Sequence, residues 1–341
     1  MSVNQSIKRI IISRSDAIGD VILTLPICGI IKKKYPEAQI IFLGRTYTQP
    51  VVSCCRFVDE FVNADELLKK DKKEAIIFLA GLNADVILHV FPHKKIAQLA
   101  KQSGIKLRIG TTNRLFHWGF VNKLVRLSRK NSPLHESQLN CKLLEPLGIH
   151  EMPELTEMPD YYGFTNIPVL KNEFANLLEK QKCNVILHPK SNASAREWSL
   201  DHFKALIDLL PSEKFKIFIS GTDKEKALLS DWIKFLPAHV VDITGKMPLD
   251  QFIAFISKAD FLVAASTGPL HIAAAIGIGA IGLYPPMKPI HPGRWKPIGK
   301  KAIALCIDKT CFDCKQDPKA CHCINEIMPA QVAAIIQAPQ S

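Results

Sequence analysis

Short apolar blocks alternate with amphipathic stretches along most of the chain. Residues 8–13, Lys-Arg-Ile-Ile-Ile-Ser, read as a strand whose three consecutive isoleucines call for burial on both faces. A polar turn follows over 14–20, and the pattern then predicts a helix over 21–34 that ends before Pro36. Further strands are predicted at 40–43, closed by Gly44, and at 84–90, with a helix over 92–103 stopped by Gly104. The rhythm breaks over 151–168, where Pro153, Pro159, Gly163 and Pro168 interrupt any period, so this stretch reads as a linker. Beyond a helix at 172–181 the alternation resumes. Strands are predicted at 184–187, 215–220, 240–243, 260–265 and 280–284, with helices at 200–210, 224–235, 249–258 and 269–276.

Strands alternating with helices specify parallel βαβ units. The expectation is an α/β protein of two doubly wound domains, 1–160 and 161–341, facing each other across a cleft. Ligands of such sheets sit at the carboxyl ends of the strands.

Composition narrows the functional classes. No apolar block reaches the roughly 20 residues that span a bilayer. Residues 1–8 are polar and lack a signal-peptide core, so a cytosolic protein is expected. Lys and Arg number 44 against 32 Asp and Glu, a net charge of +12 spread over both halves, with local runs at 32–34, 69–70, 72–73 and 126–130. Such a surface suits phosphates or anionic lipid. No helix-turn-helix or RNA-binding signature accompanies it, so nucleic acid is not an expected partner. Ten cysteines in a chain without a signal peptide do not form a secreted disulfide scaffold. Five of them, Cys306, Cys311, Cys314, Cys321 and Cys323, crowd the C-terminal end; their spacing leaves a metal site, disulfides and free thiols open.

Three loops carry candidate chemistry. The first, Arg14-Ser15-Asp16-Ala17-Ile18-Gly19-Asp20, joins a strand to a helix and puts Asp20 in the first helical turn. A carboxylate there either complements the helix dipole or takes a proton from a hydroxyl as general base. The second is His188-Pro189-Lys190-Ser191-Asn192-Ala193-Ser194-Ala195-Arg196-Glu197-Trp198, again directly after a strand. Its hydroxyls, the Asn192 amide, Lys190 and Arg196 are phosphate-binding groups, Arg196 being able to grip a phosphate with two parallel bonds. Trp198 is expected behind the loop, away from ligand. The third is Ser266-Thr267-Gly268-Pro269-Leu270-His271, where Gly268 admits close approach of a diphosphate and Pro269 marks a helix start. His271, one turn in, either bonds a phosphate or is a buried core histidine. The string Gly277-Ile278-Gly279-Ala280-Ile281-Gly282 matches a dinucleotide fingerprint but runs from helix to strand, the reverse of the required context, and reads as a tight turn.

With these loops placed, the chain resembles glycosyltransferase family 9, the ADP-heptose:lipopolysaccharide heptosyltransferases. The resemblance rests on Ser15-x-x-x-Gly19-Asp20-Val21-x-x-x-x-Pro26, on Gly245-Lys246-x-x-Leu249, and on Ser266 to His271 followed by x-Ala273-Ala274-Ala275. His291-Pro292-x-Arg294-Trp295 adds to it. It implies the GT-B fold, an N-terminal acceptor-binding domain and a C-terminal donor-binding domain. It further implies inverting transfer with no metal and no cofactor. Asp20 becomes the general base, in a loop with Ser15 and Gly19 on the acceptor side. Lys190, Ser191, Asn192, Arg196, Ser266, Thr267, Gly268 and His271 fall around the donor diphosphate. Well-known heptosyltransferases carry Asp at the position of Ser266, so other donor sugars, or a protein that binds a nucleotide-sugar without turnover, are the alternatives. The implied partners are a nucleotide-diphosphate sugar such as ADP-heptose and a lipid-linked saccharide. The implied place of work is the inner face of the cytoplasmic membrane, in peripheral contact with anionic lipid.

Overall fold

The computed structural model describes residues 7–128, 132–192, 194–288, 290–309 and 322–339. The chain divides into two compact units, Met1–Asn166 and Ile167–Ser341.

The first unit holds β1 (Arg9–Ser13), β2 (Gln39–Gly44), β3 (Glu60–Asn63), β4 (Val86–His89), β5 (Leu107–Thr111) and β6 (Lys123–Val125). They form one parallel sheet in the order β3-β2-β1-β4-β5-β6. Ile10, Ile11 and Ile12 of β1 are fully buried, as a central strand covered on both faces requires. Their neighbours Ile41 and Ile87 lie in one apolar layer with Leu67, Leu79, Ile96 and Leu99 from the flanking helices.

The helix predicted over 21–34 is two helices, Ile18–Ile22 and Pro26–Lys34. Pro26 has no N–H to continue the ladder and opens the second helix instead. Residues 23–25 are held by a tight turn, and the Thr24 hydroxyl donates to the Asp20 carbonyl at 2.8 Å. Most of the stretch without a period belongs to the first unit. A short 3₁₀ turn, Met158–Tyr161, packs on the helix Pro26–Lys34, where a side chain at Gly29 would strike the Tyr161 carbonyl. Tyr162 is buried, and Phe164 bridges to Cys55.

The second unit repeats the plan. β7 (Cys183–His188), β8 (Phe215–Ile219), β9 (Val240–Asp242), β10 (Phe261–Ala265), β11 (Gly279–Tyr284) and β12 (Ala302–Cys306) form a parallel sheet in the order β12-β11-β10-β7-β8-β9. Numbered within its own unit, each sheet reads 3-2-1-4-5-6, the dinucleotide-fold order, and its winding reverses between the first and fourth strands. The helix expected over 172–181 closes after Asn172–Ala175. The Asn184 amide then holds the Glu179 N–H and carbonyl, turning the chain toward β7. Gly277 ends the helix Gly268–Ile276 in the left-handed region at φ 96°, and Gly279 begins β11, the helix-to-strand turn that its sequence context predicts.

Candidate active site

The winding reversal of the first sheet lies between β1 and β4, whose last residues, Ser13 and His89, are paired in the ladder. The chain leaves β1 into the loop that carries Arg14, Asp16 and Asp20. Arg14 is buried and supplies one guanidinium to three carboxylates. Its Nε donates to Asp16 Oδ1 at 2.6 Å, its Nη2 to Asp20 Oδ1, and its Nη1 to Glu136 Oε1 at 3.5 Å. Glu136 is itself buried at the start of the helix Glu136–Cys141. The Tyr47 hydroxyl donates to the Asp16 carbonyl at 2.6 Å and pins the loop from the other side.

Burial works against the Arg14 charge, but Asp16, Asp20 and Glu136 outweigh it and raise its pKa above the ordinary arginine value. Burial pushes the Asp16 carboxyl up to about 6; repulsion from Asp20 adds to this, and attraction to Arg14 opposes it. Asp20 lies in the first turn of Ile18–Ile22, with 22% of its side chain exposed. The helix takes no side-chain cap. Asp20 is thus an oriented, partly exposed carboxylate held by a guanidinium, the geometry of a base that meets a solute hydroxyl.

In the second unit the reversal lies between β7 and β10, paired at His188 and Ala264. Two loops leave these neighbouring strands. In the first, Glu197 is the hub. It accepts from Lys190 Nζ at 2.9 Å, from the Ser191 N–H at 2.9 Å and from the Ser191 hydroxyl at 3.1 Å. Asn192 turns the corner at φ 47°, in the left-handed region that Asn tolerates. Lys190 and Ser191 therefore shape the loop through Glu197. Arg196 Nε is buried and has no hydrogen-bond partner among the described residues. Trp198 lies in the core, and its indole N–H donates to the Ile327 carbonyl at 3.0 Å, behind the loop as its sequence predicts. The Ser199 N–H donates to Asn325 Oδ1 at 2.9 Å, tying the same loop to the C-terminal segment.

The second loop passes from β10 through Ser266 to the helix Gly268–Ile276. Thr267 occupies the cap position with extended backbone, yet its hydroxyl makes no capping bond and is buried without a partner among the described residues. Pro269 stands in the first turn. The first amide N–H groups of this helix and the Thr267 hydroxyl are thus donors gathered at one strand end, an arrangement that can meet an anion. The Tyr284 hydroxyl donates to the Trp295 carbonyl at 2.6 Å; burial raises its pKa, and neighbouring Ser266 opposes that rise. His271 is buried within the helix. At the end of β9, Gly245 adopts φ 65°, and a side chain there would collide with Asp223.

Arg14, Asp16, Glu136 and Tyr47 escape the sequence reading. Arg14 and Asp16 stand inside the first motif as visible charges, whereas Glu136 lies 122 residues from Arg14 with no local signal. Glu197 stands within the second loop, but nothing in its sequence neighbourhood signals that it organises the loop. No three His, Cys, Asp or Glu side chains cluster as a metal site among the described residues. Cys306 is a free thiol and Cys323 is buried, while Cys311, Cys314 and Cys321 of the same cluster lie outside the described residues. Among the described residues no helix is long and apolar enough to cross a membrane.

Two doubly wound units, each with a parallel sheet in the dinucleotide-fold order, are the GT-B architecture. Residues 78–325 match glycosyltransferase family 9 (heptosyltransferase), and the chain belongs to that family. It is 28% identical over 312 residues to a Haemophilus influenzae protein whose description as a glycosyltransferase is itself provisional, covering 88% of this chain and 89% of the relative. Lipopolysaccharide heptosyltransferase 3 of Escherichia coli is 25% identical over 302 residues, covering 84% and 85%. The structure of E. coli heptosyltransferase WaaC with ADP superposes at a TM-score of 0.71 and 17% identity, covering 96% of this chain and 99% of that one.

Proposed function

We propose that this enzyme transfers a heptose from ADP-heptose onto a saccharide of a lipopolysaccharide core, with inversion at the anomeric carbon and without a metal ion. Asp20 accepts the proton of the acceptor hydroxyl. The oxygen attacks the anomeric carbon on the face opposite the diphosphate, and the C–O bond to the diphosphate breaks. The negative charge that grows on the leaving phosphate meets Arg196, the Thr267 hydroxyl and the N–H groups at the start of Gly268–Ile276. Asn192 and His271 belong to the same donor site, while Lys190 and Ser191 keep the Arg196 loop in shape through Glu197. In this reading the first unit takes the acceptor and the second the donor. Ser15 and Gly19 shape the acceptor side. The acceptor is lipid-linked, so the enzyme works at the inner face of the cytoplasmic membrane.

The observation that carries this reading is the pair of buried, unpartnered donors, Arg196 Nε and Thr267 Oγ1, on loops that leave two neighbouring strands. A buried donor without a partner is costly, and an anionic ligand satisfies both. The relatives named above support the choice of heptose and ADP. The test is transfer from ADP-heptose to a purified core acceptor, with and without EDTA, and with the product anomer read by NMR. Asp20→Asn should lower kcat at least 100-fold; near-normal turnover removes Asp20 from the base role.

Ser266 favours a second donor sugar. It lies beside Tyr284, and well-known family members carry Asp at this position. Thermal-shift screening of ADP-heptose against ADP-hexoses decides between them, since the cognate ligand raises the melting point most at equal concentration.

A further inference from the structure

From Val86 to His135, fifty consecutive residues, the chain carries ten Lys and Arg and neither Asp nor Glu. This segment builds the β5–β6 edge of the first sheet. Between those strands stands the helix Leu115–Phe120, whose two faces differ sharply. His117 is buried against Gly110, where a side chain would leave the ring no room. On the other face Leu115 is 91% exposed and Trp118 65% exposed, three residues apart. Side-chain bonds to backbone groups fix this helix, among them that of Arg108 Nε to the Phe120 carbonyl at 2.8 Å. The Trp118 indole donates to the Thr112 carbonyl at 3.3 Å, and Lys101 Nζ donates to the Gly119 carbonyl at 3.0 Å. Arg114, just ahead of the helix, and Lys123 and Arg126, on and just past β6, are exposed. The 3₁₀ turn Lys142–Leu147, packed against β5 and β6, adds one cation and one anion, Lys142 and Glu145, which offset each other.

We propose that Leu115 and Trp118 are a membrane-insertion point that, with the exposed cations Arg114, Lys123 and Arg126 of the same sheet edge, docks the enzyme on an anionic lipid bilayer. A large aliphatic and an indole held outward by fixed backbone suit the boundary between headgroup and acyl chain. An acid-free, cationic segment suits phosphate headgroups, and no negative side chain within it opposes the approach. The proposal rests on the acceptor being lipid-linked, since docking at this edge brings the enzyme to the surface where such an acceptor is anchored.

The test uses the full chain with vesicles of phosphatidylcholine, with and without phosphatidylglycerol. The wild-type protein should sediment with the anionic vesicles and release partly on raising the salt. Brominated acyl chains should quench Trp118. Leu115→Ser with Trp118→Ser, and separately Arg114→Gln with Lys123→Gln and Arg126→Gln, should each weaken vesicle binding at least tenfold while the melting temperature holds. Both variants should keep the wild-type rate on a water-soluble, deacylated acceptor and lose rate only on acceptor embedded in vesicles. Unchanged vesicle binding in both variants overturns the proposal. So does an equal loss of rate on the soluble acceptor, which would assign this surface to the saccharide. Vesicle binding needs no donor, so failure of the heptosyl assay alone leaves this result readable.

Discussion

Arg14 grips Asp20 through Nη2, and with its other nitrogens it also holds Asp16 and Glu136, so one buried cation fixes the carboxylate assigned the base role. The fork geometry of a guanidinium is what serves three acceptors at once.

Arg14→Lys should therefore fold but misplace Asp20. We expect kcat to fall about tenfold to 100-fold with KM for the donor unchanged, because the groups proposed to hold the donor lie in the other unit. Arg14→Ala strands three carboxylates and should lower unfolding stability by about 3–5 kcal/mol, read by chemical denaturation. An Arg14→Lys enzyme with wild-type kcat would refute the positioning role.

Asp16 gives a pH-dependent counterpart. Its folded pKa of about 6 stands above the ordinary 3.8, so between these values the folded state binds the extra proton. Its contribution therefore favours the fold below pH 3.8 and is lost as pH rises through 6, a cost of about 3 kcal/mol at pH 7. Asp16→Asn should flatten this limb, and its stability relative to wild type should improve from pH 4 to pH 7.5.

His89 acts with the opposite sign. Its ring is fully buried, and both nitrogens lack partners among the described residues. Burial, aided by His117 and Arg108, lowers its pKa to about 3 from 6.5. Only the unfolded chain takes the proton between these values, so stability falls as pH drops below 6.5, by about 2–3 kcal/mol at pH 4.5. His89→Leu should reduce that acid sensitivity. A denaturation midpoint that falls equally in both proteins between pH 7 and pH 4.5 would rule it out.

Thr267→Val keeps the shape and removes an unpartnered hydroxyl. The fold should be unchanged or gain about 1 kcal/mol, while ADP binding, measured by calorimetry, weakens about tenfold. Arg196→Met should weaken it further, about 100-fold. Undiminished affinity in both would place the diphosphate elsewhere.

The central strands were legible because burial on both faces demands unbroken apolar runs, as in Ile10-Ile11-Ile12 and Val185-Ile186-Leu187. β5 and β6 were not: Arg108, Gly110 and Lys123 break the run in strands nearer the sheet edge. The loops at 14–20, 188–198 and 266–271 were placed correctly after strands β1, β7 and β10 because turn chemistry and helix starts are local signals. What joins them is not local. Strand order, the Arg14–Glu136 pair and the Trp198–Ile327 bond each connect residues far apart in sequence, and no pattern in either neighbourhood announces them.

The indole of Trp198 and the amide of Ser199 both reach into the segment at 325–327, directly ahead of the helix Pro329–Gln337. The last stretch of the chain is therefore a brace beneath the loop that presents Arg196. A stop codon or a protease cut upstream of 322 should slacken that loop before it unfolds the domain, weakening ADP retention while leaving the first unit intact.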